Sequence, residues 1–348
     1  MAALMVMCSH YFFRGPEGNE GFSPLAFHNV SPIAKYGFLG VHWFFMISGL
    51  VIAYSSENRT GTQFAVARAS RLLPGAYTSI FILFLVSILF PVSVLPTDLG
   101  TLFANLSFLP QLFHAPMQSP SFWSIQIELA FYAWVSVLIA INRWQCTLRI
   151  VGIWLVVTAI NDFALHTLVL NYLFITRYSA LFCLGILLFH IRQHGLTSLH
   201  VLLVVVALGL AAFDVIESSA IPAANYHTSF SPFVLVGILF AMFALLAASI
   251  FVPLSGRWQA WCYVVGGITY PFYLLHEGLG YHVFWALHHT TLLPIIQFMI
   301  AAAISIAVAA LIWKVVELPI IPRLRFALQT LLTARSPQKS AATLGAGK

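Results

Sequence analysis

The chain has 348 residues, of which 60% are hydrophobic and 7% are charged, and its formal net charge is +6. Soluble globular proteins carry about 25% charged residues, so this composition excludes a soluble domain and predicts a multi-pass membrane protein. The basic residues are spread over loops without interleaved aromatic residues, which argues against a nucleic-acid partner. The four cysteines lack paired spacing, so we expect neither a disulfide framework nor a metal site.

Apolar runs recur from one end of the chain to the other. A membrane-spanning helix needs about 20 apolar residues, and the runs predict an all-α polytopic transmembrane helix bundle of about ten helices. The first run is too short to cross a bilayer alone, so it is either a partial span or a first helix truncated at its N-terminus. The ten runs are 1–13, 37–55, 73–95, 122–141, 150–165, 178–191, 199–216, 232–252, 262–287 and 293–316.

The loops between these runs differ in charge. When they are assigned alternately to two sides, thirteen Lys and Arg residues fall on one side and only Arg14, Lys35 and Arg177 on the other. The positive-inside rule then predicts cytoplasmic N- and C-termini in a cell plasma membrane. Residues 1–318 form the predicted membrane domain, with the lipid bilayer as its surroundings. Residues 319–348 form a basic cytoplasmic tail that we expect to be largely disordered.

The predicted span at 122–141 contains the carboxylate Glu128. Burying a carboxylate in a membrane costs free energy, so its presence marks a functional site. At 100° per residue, Ser124, Glu128 and Tyr132 share one face of that helix. The alternative is a polar seam that binds a neighbouring helix.

Histidines of three other spans are predicted at a similar depth, in the outer half of the membrane. They are His10, His42 and His276, and together with Glu128 they suggest a shared hydrated pocket. A histidine can accept a proton from a hydroxyl, and a nearby carboxylate stabilises the resulting cation. A position at a helix end remains the alternative for His10, and a packing seam is the preferred interpretation of His42.

Two arginines, Arg68 and Arg71, lie three residues apart at the predicted cytoplasmic boundary. Such residues either determine topology or bind the phosphates of an anionic substrate.

Six segments in this order resemble the acyltransferase type 3 family of integral-membrane O-acyltransferases. The resemblance implies about ten helices, a cytoplasmic acyl-CoA donor and an acceptor on the outer side. It also implies that His10 is the essential histidine, that Glu128 is the family's glutamate, and that Arg68 and Arg71 lie near the CoA phosphates. The segments are AALMVMCSHYF (2–12), GVHWFFMISGLVI (40–52), FAVARASRLLPGAY (64–77), SFWSIQIELAFY (121–132), YPFYLLH (270–276) and VELP (316–319).

The chain departs from the family pattern at two positions. The family's arginine eleven residues before the histidine falls ahead of Met1, so the resemblance implies a true start upstream of Met1. His42 stands where the family often has an acidic residue.

The resulting hypothesis is an O-acyltransferase that moves an acyl group, in particular acetyl, from acyl-CoA to a hydroxyl of a cell-surface glycan or related small-molecule acceptor. His10 and Glu128 are the predicted catalytic residues, without a metal or a cofactor other than acyl-CoA as co-substrate. The alternatives are a proton-coupled transporter or flippase, for which no inverted repeat is visible, and an inactive truncated homologue. The predicted substrate-binding residues are Arg68, Arg71, Trp123, Ser124, Tyr132, Tyr270 and His276.

Overall fold

The computed structural model describes residues 1–17, 22–92, 95–253 and 255–334, and within these ranges it contains helices and no strands. This confirms the predicted all-α architecture. Helices of at least eight residues are α1 (Ala2–Ser9), α2 (Leu39–Ser56), α3 (Gly61–Leu89), α4 (Leu99–Leu106), α5 (Trp123–Ala140), α6 (Thr147–Ile160), α7 (Thr176–His194), α8 (Ser198–Ser218), α9 (Pro232–Ser249), α10 (Gly256–Leu287), α11 (Pro294–Ile312) and α12 (Leu318–Ala334).

Eight helical segments of the described chain are long and apolar enough to cross a membrane. They correspond to eight of the ten predicted runs. The other two runs are also helical. One forms α1 and its continuation, which is short, and the other lies in α10, which is 32 residues long. The chain is therefore a multi-pass helical membrane protein. The eight segments are Ser31–Ser56, Gly61–Leu89, Pro120–Ala140, Trp144–Leu165, Leu168–His194, Ser198–Asn225, Pro232–Ser249 and Pro294–Leu332.

Helix α3 begins earlier than the sequence pattern indicated, because a capping box starts it. The Thr60 hydroxyl accepts a hydrogen bond from the Gln63 amide at 3.2 Å, and the Gln63 side chain accepts one from the Thr60 amide at 3.0 Å. Such a reciprocal cap satisfies two otherwise unpaired amide groups. Arg68 and Arg71 therefore lie inside a helix.

The C-terminal region also differs from the expectation. The sequence predicted disorder from residue 319, whereas Leu318–Ala334 continues as helix α12 and packs along α3. Apolar residues recur along this segment at helical spacing, which gives it a face to bury. Residues 335–348 of the predicted tail lie outside the described residues.

Helices α2 and α7 pack with almost touching backbones. A Cβ atom added at Gly185 would lie 2.0 Å from the Met46 carbonyl oxygen, and one at Gly49 would lie 2.2 Å from the Phe182 carbonyl oxygen. Small residues permit this approach between membrane helices. The contact fixes α2, which in turn packs against α1 and so locates the first histidine of the site.

Candidate active site

His10 lies where α1 changes into the π-helical turn His10–Arg14. Such turns are frequent at functional sites. The side chain is buried against α10, and its Nδ1 atom lies 3.0 Å from Nε2 of His276. The two ring planes are nearly parallel, with an angle of 6° between them. The structure therefore brings together two of the predicted site residues, from opposite ends of the chain.

Hydrogen bonds around His276 determine which ring nitrogens carry protons. Its Nδ1 faces the backbone carbonyl oxygens of Tyr273 at 2.9 Å and Phe272 at 3.2 Å. Carbonyl oxygens only accept, so this Nδ1 is the protonated nitrogen, and Nε2 of the neutral ring is an acceptor. His10 must then donate from its own Nδ1. Its Nε2 keeps a free lone pair, and this atom has no hydrogen-bond partner among the described residues.

A carboxylate completes this group, and it belongs to Glu277. Its Oε2 lies 3.6 Å from His10 Nδ1, and its Oε1 lies 2.9 Å from Arg14 Nη1. The Glu277 side chain is fully buried, and the Arg14 side chain is 24% exposed. A carboxylate at this distance stabilises a protonated imidazole by the attraction of opposite charges, and the arginine pairs with the same carboxylate. We refer to His10, Arg14, His276 and Glu277 as the histidine cluster.

Glu128 does not join the histidine cluster. It accepts hydrogen bonds from Ser48 at 3.2 Å and from Tyr132. The expected pairing of His10 with Glu128 is therefore wrong. Depth along a helix follows from the sequence, whereas the direction in which the side chain points depends on how the helices are rotated against one another. The predicted stripe of Glu128 and Tyr132 on one helix face is confirmed.

The arginines of α3 have different surroundings. Arg71 donates a 2.7 Å hydrogen bond to Glu317, which ends the π-helical turn Trp313–Glu317, and its guanidinium lies 5.5 Å from the centre of the Tyr270 ring. No carboxylate of the described chain lies within 4 Å of the Arg68 guanidinium. Arg68 is therefore the cation better placed to meet an anionic ligand.

Two cavities enclose these groups. The first, of about 290 Å³, is lined by His10 and Arg14 and is called the histidine cavity; the second, of about 480 Å³, is lined by Arg68, Arg71 and Glu128 and is called the arginine cavity. Val41 lines both of them, so they adjoin one another. Of the other predicted site residues, Trp123 lines the histidine cavity; Ser124, Tyr132 and Tyr270 line the arginine cavity; and His276 is buried behind His10.

Three charged residues that act in these clusters were missing from the predicted site: Arg14, Glu277 and Glu317. Two of them carried a signal in the sequence. Glu277 directly follows His276, and Arg14 follows His10 by four residues, which is one turn of a helix. Glu317 lies within the VELP segment, but nothing in its spacing indicates Arg71 as its partner.

The chain is thus a multi-pass membrane protein in which a buried histidine and glutamate lie beside an arginine-lined cavity. The chain belongs to the acyltransferase type 3 family, because the family model described as "Acyltransferase domain" matches residues 1–314. This is a family of acyl-transferring enzymes.

Two bacterial relatives match part of the chain. It is 31% identical over 145 residues to the "Putative peptidoglycan O-acetyltransferase YrhL" of Bacillus subtilis (strain 168), a match that covers 35% of this chain and 23% of the relative. It is 27% identical over 140 residues to the peptidoglycan O-acetyltransferase OatA of Listeria monocytogenes serovar 1/2a, covering 34% of this chain and 22% of the relative. The matches thus span about a quarter of each relative's length. No solved structure matches this chain.

Proposed function

We propose that this protein transfers an acetyl group from acyl-CoA to a hydroxyl group of a cell-surface glycan. The observation that carries the proposal is the free Nε2 of His10, held at the edge of a cavity by His276 and Glu277. Family membership supports acyl transfer over the transporter alternative. The names of both relatives support acetyl as the group and a glycan as the acceptor.

The histidine cluster supplies what transfer to a hydroxyl requires. His10 Nε2 takes the proton as the acceptor oxygen attacks the thioester carbon. Glu277 stabilises the imidazolium that results, and the same proton then goes to the departing CoA sulfur. One O–C bond forms and one C–S bond breaks, so no oxidant, reductant or metal is needed.

The arginine cavity suits the donor. The planar guanidinium group of Arg68 can donate two parallel hydrogen bonds to the oxygens of a phosphate group. Arg71 is held by Glu317, and Glu128 accepts a hydrogen bond from Tyr132, which lies beside Arg68. The phosphates of acyl-CoA would lie near Arg68, and the pantetheine arm would reach toward Val41.

The charge distribution of the loops supports a direction for the reaction. The positive-inside rule assigns the start of α3 to the cytoplasm, where acyl-CoA is made. Arg14, Lys35 and Arg177 fall on the outer side in the same assignment. In the proposed arrangement both termini are cytoplasmic, the protein lies in the plasma membrane, and the glycan enters from outside.

The test is acetylation of glycan by membranes containing the full chain and isotopically labelled acetyl-CoA, followed by mass spectrometry. We expect labelled O-acetyl groups with the wild type and none with His10→Ala, which should reach the membrane in equal amounts. His114→Ala is the matched control, because His114 is exposed and lines neither cavity. Full activity in His10→Ala, or uptake of label without an acetylated product, would contradict the proposal.

A further inference from the structure

Basic residues are prominent in the lining of the histidine cavity. Three of its lining residues are basic, Arg14, Lys35 and Arg177, and none of its described lining residues is Asp or Glu. These are the same three basic residues that the charge pattern of the loops assigns to the outer side. Each comes from a different part of the chain, and the fold brings all three to the cavity that holds His10.

Two of these cations differ from Arg14, whose charge is balanced by Glu277. Lys35 donates to the Ser229 carbonyl oxygen at 2.5 Å and lies 5.4 Å from the centre of the Phe230 ring, both neutral groups. No carboxylate of the described residues lies within 4 Å of Arg177. Asp162 and Asp214 interact with Arg177 electrostatically from beyond this distance. Lys35 and Arg177 therefore line the cavity without an ion pair to a described carboxylate.

Six of the seventeen residues that line the cavity are Phe, Trp or Tyr. Trp123 and Tyr178 lie with ring centres 5.4 Å apart and their planes inclined by 36°, and Tyr226 lines the cavity as well. Aromatic faces offer flat apolar area, and Tyr and Trp add a polar edge. Such a lining suits a sugar ring, which has apolar C–H faces and hydroxyl groups around its rim.

We propose that the acceptor is an anionic carbohydrate, whose carboxylate or phosphate is bound by Arg177 and Lys35 while one hydroxyl faces His10 Nε2. This rests on the proposed function, because it names the acceptor class of the same site. Both groups would present negatively charged oxygen atoms on a sugar. A uronic acid would supply a carboxylate and a sugar phosphate would supply a phosphate, and the experiment distinguishes the two.

The test is binding to the purified full chain in detergent, measured by saturation-transfer NMR at low salt with three probes. Methyl β-glucuronide and methyl β-glucoside 6-phosphate carry the charge, and methyl β-glucoside is the neutral counterpart. Since charge-assisted hydrogen bonds are roughly twice as strong as neutral ones, we expect at least one charged probe to bind about tenfold more tightly than the neutral one. The tighter charged probe identifies the source.

Substitutions then test whether the preference for charged probes arises in the histidine cavity. Arg177→Gln should reduce the ratio of charged to neutral affinity to less than about threefold, whereas Arg177→Lys should keep most of it, because the charge remains. Arg143→Gln is the matched control, since Arg143 is exposed and lines neither cavity. Equal binding of all three probes to the wild type, or an unchanged ratio in Arg177→Gln, overturns the proposal.

Two further measurements distinguish failure of this acceptor proposal from failure of the proposed acetyl transfer. If Arg177→Gln loses affinity for CoA itself, the cations serve the donor and the acceptor assignment is overturned. If the wild type acetylates no glycan but retains the tenfold preference, the proposed function fails and the anion site stands. If it acetylates neutral sugars better than charged ones, only the acceptor class is wrong.

Discussion

Replacing Glu277 with Gln isolates the charge of the buried carboxylate while retaining its shape. At an effective dielectric constant of about 20, unit charges at the 3.6 Å separation of Glu277 and His10 attract by about 4 to 5 kcal/mol. Arg14 offsets part of this attraction, because it lies 2.9 Å from the same carboxylate. We therefore expect a loss of about 3 to 4 kcal/mol in the transition state, which is roughly a 100- to 1,000-fold lower kcat.

The assay is release of the CoA thiol by the purified full chain with acetyl-CoA and acceptor. The KM for acetyl-CoA should stay within about twofold of the wild-type value. The substitution leaves Arg68 and the arginine cavity unchanged, so the donor should bind as before. Glu217→Gln is the control, since Glu217 is exposed and lines neither cavity. Wild-type kcat in Glu277→Gln, in protein that elutes as a single species, would refute the assignment of the carboxylate. So would an effect confined to KM for acetyl-CoA.

Two further substitutions test the arginine cavity and the packing of the helices. Arg68→Gln should raise the KM for acetyl-CoA by about 10- to 100-fold, since a charge-assisted hydrogen bond contributes about 1.5 to 3 kcal/mol. Arg143→Gln should leave it unchanged, and an equal rise in both variants would contradict the phosphate site. Gly185→Ala should lower the free energy of unfolding by about 1 to 3 kcal/mol or more through overpacking, seen as a lower Tm in detergent. Gly237→Ala has nothing within 4 Å of the added Cβ and should not lower it.

The positions of the helices and the depth of each side chain along its own span could be predicted from this sequence. The apolar runs marked where the chain crosses the membrane, because a bilayer core imposes both length and composition on each span. The polar stripe of Glu128 and Tyr132 followed from helical periodicity alone, and the structure joins these residues by a hydrogen bond. Such features depend only on neighbours within a few residues.

The partner of each polar group could not be predicted in the same way. Sequence separation gave no reason to prefer Glu277 over Glu128 as the partner of His10. The predicted spans contain four carboxylates: Glu128, Asp162, Asp214 and Glu277. The choice depends on helix rotation, which close packing sets at positions such as Gly49 and Gly185. The π-helical turn that begins at His10 also changes the direction of the following residues, and nothing in the local sequence predicts that turn.

The division into two cavities has a chemical consequence for acyl transfer. A thioester exposed to a water-filled acceptor site would be attacked by water as well as by the acceptor hydroxyl, and a closed site prevents that side reaction. Val41 lines both cavities, and the hydroxyls of Ser124 and Tyr273, which line the arginine cavity, form a 2.7 Å hydrogen bond. In the proposed reaction only the narrow thioester end of acyl-CoA would have to pass Val41, while the phosphates stay near Arg68. The acetyl carbon would then meet His10 near Val41, the described side chain that both cavities share.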